Sequence, residues 1–159
     1  MARKPSKTEQ MDLDETDRRI LLELKADSRR SYRELAKAIG LSPAAVIERT
    51  RRLESAGVIR GYTANFDYSK LGFEFMAIVE VRISGDDLLT VEKRISQMPH
   101  VGAVWDTTGE YDALVILMCK SRSELSATVK KILAMEEVVR TNTNVVLNVV
   151  SRLTEFGEV

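Results

Sequence analysis

The chain has 159 residues, of which 44% are hydrophobic and 30% charged, and its formal net charge is zero. This is the composition of a globular protein with one large or two small domains, and no apolar run approaches the ~20 residues of a membrane span. The polar first residues contain no secretory signal and the chain has a single cysteine, so we expect a cytoplasmic protein that does not enter membranes.

Two capped helices are predicted after a polar tail at 1–11, which we expect to be disordered. The first helix lies within residues 12–30. The apolar residues on its inward face are Leu13, Ile20, Leu21 and Leu24. A second helix begins after Ser31, which forms a capping box with Glu34, and Gly40 can adopt the left-handed conformation that ends it.

A third helix follows at once, with Ser42 as its cap and Pro43 at its first position, and ends at Gly57. Its inward-facing residues are Val46, Thr50 and Leu53. The side chains predicted to face outward are Ala44, Ala45, Glu48, Arg49 and Arg52, with Arg51 near the boundary. Two helices joined by a tight turn have the geometry of a helix-turn-helix, whose second helix fits a DNA major groove.

The same pattern has a plainer interpretation, because glycine turns between capped helices and solvated arginines occur in many helical domains. Two neighbouring features favour DNA binding. A helix precedes the pair, and the stretch 58–66 predicts a strand at the place of a wing. Residues 12–64 therefore predict a winged-helix-like DNA-binding domain.

Charge is divided unevenly along the chain. Residues 1–60 contain 14 basic and 10 acidic side chains, whereas 61–159 contain 10 basic and 14 acidic ones. Basic side chains beside phosphates gain affinity by releasing counterions. The asymmetry therefore favours a nucleic-acid partner for the first half of the chain only.

The second half predicts a domain at 73–153, after a linker at 65–72 and before a tail at 154–159. Its predicted elements are a strand at 73–83, a helix at 86–98, strands at 101–109 and 111–120 around a tight turn, a helix at 121–135 with a capping box from Ser121 to Glu124, and a strand at 138–151. This β-α-β-β-α-β order is that of a ferredoxin-like domain, so the fold class is α+β. Both helices cover one face of such a sheet, and apolar residues on the other face predict dimerisation.

Residues that suggest catalysis or metal binding are scarce. Cys119 lies inside an apolar run and is predicted to be buried. His100 is the only histidine, and no glycine-rich phosphate loop is present. We therefore expect no enzyme, no metal site and no cofactor.

From about Leu13 to Val150 the chain resembles the Lrp/AsnC (feast/famine) transcriptional regulators. The matching stretches are LDETDRRILLELKADSR, ELAKAIGLSPAAVIERTRRLESAGVIRGYTA, TGEYD and RTNTNVV. The resemblance implies a DNA-binding domain followed by a ferredoxin-like domain. The latter is expected to dimerise through its sheet, often to assemble further into octamers, and to bind a small effector, typically an amino acid, between dimers.

The resemblance also implies site residues. The recognition helix becomes 42–55, with Ser42 beside a phosphate, Arg49 as the best candidate for a guanine contact and Arg52 on the backbone. The other side chains aimed at base edges are Ala44, Ala45 and Glu48. The effector residues implied by TGEYD and RTNTN are Gly109, Asp112, Thr141 and Thr143.

Each effector residue also has an ordinary interpretation: a hairpin glycine, an acid that hydrogen-bonds the turn, and strand threonines. We predict a sequence-specific regulator that binds double-stranded DNA and whose assembly or DNA binding responds to an amino acid. The alternative is an amino-acid-sensing module that acts through protein partners. A DNA affinity that falls steeply with salt belongs only to the first.

Overall fold

A computed structural model describes residues 11–150, which divide into two compact units, one ending at Asn65 and the other beginning at Phe66. Apart from Met11, the tails predicted at 1–11 and 154–159 lie outside the described residues. No helix within 11–150 is long and apolar enough to cross a membrane.

The first unit contains three helices, α1 (Glu15–Ala26), α2 (Tyr32–Ile39) and α3 (Pro43–Ser55). The caps predicted from the sequence are confirmed. The Ser31 hydroxyl accepts the Glu34 N–H, and the Glu34 carboxylate accepts the Ser31 N–H at 2.7 Å. Gly40 ends α2 at φ 77°, and the Ser42 hydroxyl caps α3. Caps of this kind satisfy amide groups that have no partner within the helix.

One apolar core joins the three helices. Its buried members are Ile20, Leu24, Leu35, Ala36, Ile39, Val46 and Leu53. These residues recur at helical spacing on each helix, so each helix buries one apolar stripe and the three stripes together form the core.

The prediction of a strand at 58–66, at the place of a wing, is wrong, because no strand forms there. The N–H groups of Val58 and Ile59 both donate to the Leu53 carbonyl, so the chain turns back against the end of α3. Beyond them, residues 60–66 are exposed. A strand needs a neighbour for its backbone groups, and no second strand of this unit is present in the described part of the chain.

The second unit has the predicted β-α-β-β-α-β order. It comprises β1 (Phe75–Ile83), α4 (Leu88–Ser96), β2 (Val101–Asp106), β3 (Ala113–Cys119), α5 (Arg122–Leu133) and β4 (Val138–Val145). The strands form one antiparallel sheet in the order β2-β3-β1-β4. A short 3-10 helix, Ser69–Leu71, lies in the stretch predicted as a linker.

Alternation along the strands separates two faces of the sheet. The strand residues buried against α4 and α5 include Ala77, Val79, Val81, Val115, Leu117 and Cys119. Cys119 is thus buried, as predicted. The opposite surface, here named the open face, carries six partly or largely exposed apolar side chains: Met76, Ile78, Trp105, Leu114, Ile116 and Met118.

Candidate DNA-binding surface and effector site

The outward surface of α3 is small and polar at its beginning. Ser42 and Ala44 are exposed, and Ala45 is partly exposed behind them. One turn later Glu48 is exposed. Small side chains near a helix N-terminus let its free N–H groups approach an anion closely. This end of α3 therefore has the shape and polarity that a phosphate contact requires.

Arg49 is not part of this exposed surface. Two carboxylates at the start of α1 bind its guanidinium. Its Nη1 atom donates to Oδ2 of Asp14 at 2.6 Å and to Oδ1 of Asp17 at 2.9 Å. The second carboxylate oxygen of Asp17 accepts a hydrogen bond from Nη2 of Arg52. The Asp17 side chain is completely buried, whereas those of Arg49 and Arg52 are 31% and 51% exposed.

Contacts within this cluster shift the pKa values of Asp14 and Arg49. The Arg49 guanidinium holds the pKa of Asp14 below its usual value, and a backbone N–H from Asp17 adds to the effect. In turn, Asp14 and Asp17 raise the pKa of Arg49. Opposite charges at hydrogen-bond distance stabilise each other's ionised forms. Asp14 also caps α1 in a capping box with Asp17, a D-x-x-D signal that was not among the predicted caps.

Arg49 was predicted on the outward face of α3 and Arg51 near the boundary, and the structure reverses them. At 3.6 residues per turn, Arg49 lies about 60° from the buried Val46 and Arg51 about 140°. Arg49 therefore meets α1 at the edge of the core, whereas Arg51 is exposed. Whether either residue contacts DNA stays a prediction.

The first predicted effector segment is the connection between β2 and β3. Gly109 lies in it at φ 129°, a conformation that other residues rarely adopt. The Thr107 N–H donates to the Asp112 carbonyl at 2.8 Å and closes the connection. Gly109 thus has a backbone reason to be glycine, whatever else it does.

Asp112 already has partners within the chain. Its Oδ2 accepts the N–H of Ile83 at 2.8 Å, and its Oδ1 lies 3.4 Å from Nη1 of Arg82. The carboxylate is 19% exposed. An acid beside a buried strand is stable when it is hydrogen-bonded in this way, and the exposed part remains accessible to a ligand.

Thr141 and Thr143 lie two residues apart on β4, as expected on one side of the strand. They are paired with Val81 and Val79, whose side chains are buried on the helix-covered face. Val81 also pairs with Ala113 on its other side, so Thr141, Val81 and Ala113 lie side by side across three strands. Two strand spacings, or about 10 Å, therefore separate Thr141 from the start of β3. The fold thus brings Thr141 and Asp112 to one end of the sheet, with Thr143 one step further along.

A hollow of about 500 Å³ lies near this end on the open face. Its lining residues are Glu80, Thr107, Thr108, Glu110, Tyr111, Leu114 and Asn142. None of the four predicted effector residues lines it. Two of its lining residues, Glu110 and Tyr111, lie between Gly109 and Asp112 in the chain. Within 11–150 no group of three or more His, Cys, Asp or Glu side chains is arranged to hold a metal ion.

Comparison with known proteins accounts for both units. Residues 13–60 match the winged helix-turn-helix DNA-binding family, and residues 76–156 match the Lrp/AsnC ligand-binding domain. An HTH-type transcriptional regulator of Pyrococcus furiosus is 41% identical over 140 residues, which span 88% of this chain and 95% of that protein.

Solved structures agree with this match. The structure of Bacillus subtilis LrpC superimposes with a TM-score of 0.81 at 33% identity, over 89% of this chain and 99% of LrpC. A Neisseria meningitidis transcriptional regulator, solved as a complex with L-Met, gives a TM-score of 0.82 at 26% identity, over 89% of this chain and 94% of that one.

Together the two units and these matches define a class, that of DNA-binding transcriptional regulators with a ligand-binding domain. The relatives reported above, LrpC among them, are named as transcriptional regulators. This chain belongs to the Lrp/AsnC family, as its sequence motifs predicted.

Proposed function

We propose that this regulator reads double-stranded DNA with α3 and that an amino acid bound to its ferredoxin-like unit controls its assembly or DNA binding. The observation that carries the DNA half of this proposal is the free surface at the start of α3. Ser42 caps the helix there, and Ala44 leaves the backbone accessible to a phosphate. Glu48 can accept a hydrogen bond from a cytosine amino group in the major groove.

The amino-acid half rests on Asp112 and Thr141 at one end of the sheet, beside the glycine turn at 109. A partly exposed carboxylate can pair with an α-ammonium group, and threonine hydroxyls can bind a carboxylate. The Neisseria relative that contains L-Met supports an amino acid as the ligand class. Thr143 lies one step along the same side of β4 and is proposed as a further contact.

A second copy of the chain is the proposed occupant of the open face. Exposed apolar side chains in one contiguous patch usually mark an interface. We propose a homodimer through this face, with further association to an octamer. Sedimentation of the wild-type protein and of Ile116→Glu tests it: a charge in the middle of this face should yield monomers, and an unchanged dimer contradicts the interface.

A thermal-shift panel of the twenty amino acids tests the effector. A ligand at 100 times its dissociation constant adds about 2.7 kcal/mol to the stability of the protein. The decisive variant is Asp112→Asn, which keeps an oxygen for the Ile83 N–H but removes the charge that would pair with an ammonium group. Arg82→Gln is the control, because it removes the neighbouring charge and keeps the carboxylate.

We expect one or a few amino acids to stabilise the wild type and Arg82→Gln, but not Asp112→Asn. A shift that persists in Asp112→Asn contradicts the proposed site. A flat panel for the wild type contradicts the amino-acid effector and leaves a DNA-binding regulator without one.

DNA binding is tested by selecting duplexes from a random pool with the wild-type protein and measuring affinity against salt. A regulator that reads DNA should enrich one sequence, and its affinity should fall steeply as salt displaces its phosphate contacts. If no sequence is enriched and the affinity barely depends on salt, α3 does not bind DNA and the protein-partner alternative replaces this proposal.

A further inference from the structure

The arginines of α3 have two different environments. Arg49 and Arg52 lie on successive turns, and both donate to the single carboxylate of Asp17. Arg51 lies between them in sequence but is exposed, and among residues 11–150 its side chain has no ion-pair or hydrogen-bond partner. Of the three arginines of α3, two are therefore held by Asp17, and the third has no partner among the described residues.

The Asp17 carboxylate needs those two arginines. It is completely buried, and a buried charge that loses its partners is strongly destabilising. Asp14 adds a second carboxylate on Arg49, at 2.6 Å. To contact DNA, Arg49 would have to leave both acids and weaken the cluster that joins α1 to α3.

Two bonds from one carboxylate to adjacent turns also fix geometry. They determine how α3 is rotated about its axis relative to α1, in addition to the apolar contacts of Val46 and Leu53. That rotation decides which side chains point away from the core. The residues on the resulting outward stripe are Ala44, Glu48, Arg51 and Ser55, at i, i+4, i+7 and i+11.

We propose that Asp17 is a positioning residue that orients the recognition helix through Arg49 and Arg52, and that Arg51 is the arginine of α3 that contacts DNA. This inference rests on the proposed DNA binding by α3. It differs from the sequence-based prediction, which assigned the groove contact to Arg49 and the backbone contact to Arg52.

The sign of the effect of Asp17→Asn distinguishes the two assignments. If Arg49 and Arg52 contact DNA, removing the Asp17 charge frees Arg52, leaves Arg49 held by Asp14 alone, and tightens binding. If Asp17 positions α3, the same change weakens binding, although the protein becomes more positive. Glu15→Gln is the control, because it removes one exposed negative charge from the same helix turn, where Glu15 has no side-chain partner within the described residues.

The probe is a duplex selected by the wild-type protein, with a scrambled duplex of equal length beside it. Relative to Glu15→Gln, we expect Asp17→Asn to bind the selected duplex at least about tenfold more weakly, the equivalent of 1.4 kcal/mol. Tighter binding by Asp17→Asn overturns the inference.

A second pair of variants gives a decision even where Asp17→Asn does not fold. In Arg49→Met the Asp17 carboxylate keeps Arg52, so we expect a lower melting temperature with the salt dependence of binding unchanged. In Arg51→Met we expect an unchanged melting temperature and a loss of about 5- to 150-fold in affinity for the selected duplex. Arg51→Lys then compares two kinds of contact, because lysine keeps the charge that a phosphate needs but lacks the planar fork with which arginine pairs with guanine N7 and O6.

A loss confined to the selected duplex assigns Arg51 to a base edge, and an equal loss on both duplexes assigns it to phosphate; either supports the inference. Wild-type affinity in Arg51→Met, or a reduced salt slope in a fully folded Arg49→Met, overturns it. A wild-type protein that binds neither duplex instead contradicts DNA binding by α3 itself.

Discussion

Thr50 is a polar residue buried in the core of the first unit. It is completely buried on α3, between Val46 and Leu53, and its hydroxyl has no hydrogen-bond partner within the described chain. Valine has the same shape and nearly the same helix propensity, so Thr50→Val changes little except the hydroxyl. A buried hydroxyl without a partner costs about 1 to 3 kcal/mol, so the variant should be more stable by an amount in this range.

A matched substitution in the second unit is available as a control. Thr128 is also buried on a helix, α5, but its hydroxyl donates to the Glu124 carbonyl at 2.9 Å. Thr128→Val therefore loses a hydrogen bond that contributes about 1 kcal/mol and gains a methyl group. We expect no increase in stability, or a small decrease.

Native-state hydrogen exchange, followed by mass spectrometry of peptides from α3 and α5, measures the two units separately. Thr50→Val should slow exchange in α1, α2 and α3, and should raise the unfolding midpoint of a unit of this size by about 4–8 °C per kcal/mol. Unchanged or faster exchange in α3, or equal stabilisation by Thr128→Val, would refute the argument that the missing hydrogen bond determines the outcome.

Three further predictions concern single side chains. Glu92 is 6% exposed, and burial, followed by nearby acids, raises its pKa above 4.5. The wild type should therefore lose stability as pH rises from 4.5 through the raised native pKa of Glu92, and Glu92→Gln should lack this loss. Urea titrations at several pH values measure the difference. Gly40→Ala should lower thermal stability by about 1 kcal/mol, because φ is 77° although space for a methyl group is available. Cys119 should react with a thiol reagent only after unfolding, since it is buried and burial raises its pKa.

Local signals in the sequence correctly predicted the caps at the start of α2 and α3 and the glycine at the end of α2. Ser31, Gly40 and Ser42 act on backbone groups a few residues away, so the residues that determine each cap are adjacent in the chain. The box predicted at the start of α5 forms only in part. The Ser121 hydroxyl accepts the Glu124 N–H, but the Glu124 carboxylate accepts the N–H of Lys120 and not that of Ser121.

The strand predicted at 58–66 depended on a distant partner and was wrong. The stretch 58–66 has the composition of a strand, but a strand exists only where another strand meets it. The effector residues were predicted from motifs, and the sheet register added what the motifs do not show. The register aligns Thr141 with Ala113 across the sheet. None of the four residues lines the neighbouring hollow.

Spacing and neighbours in the chain were enough to predict the helices, the caps of α2 and α3, the order of strands along the chain and the family. Which arginines of α3 have a partner among residues 11–150 depends instead on the tertiary structure. Arg49 and Asp17 are 32 residues apart, and their contact depends on how α1 packs against α3. Periodicity describes one helix at a time, and an arginine at the edge of the buried stripe can face either solvent or a neighbouring helix. The position of that neighbour, with its buried carboxylate, resolves the choice.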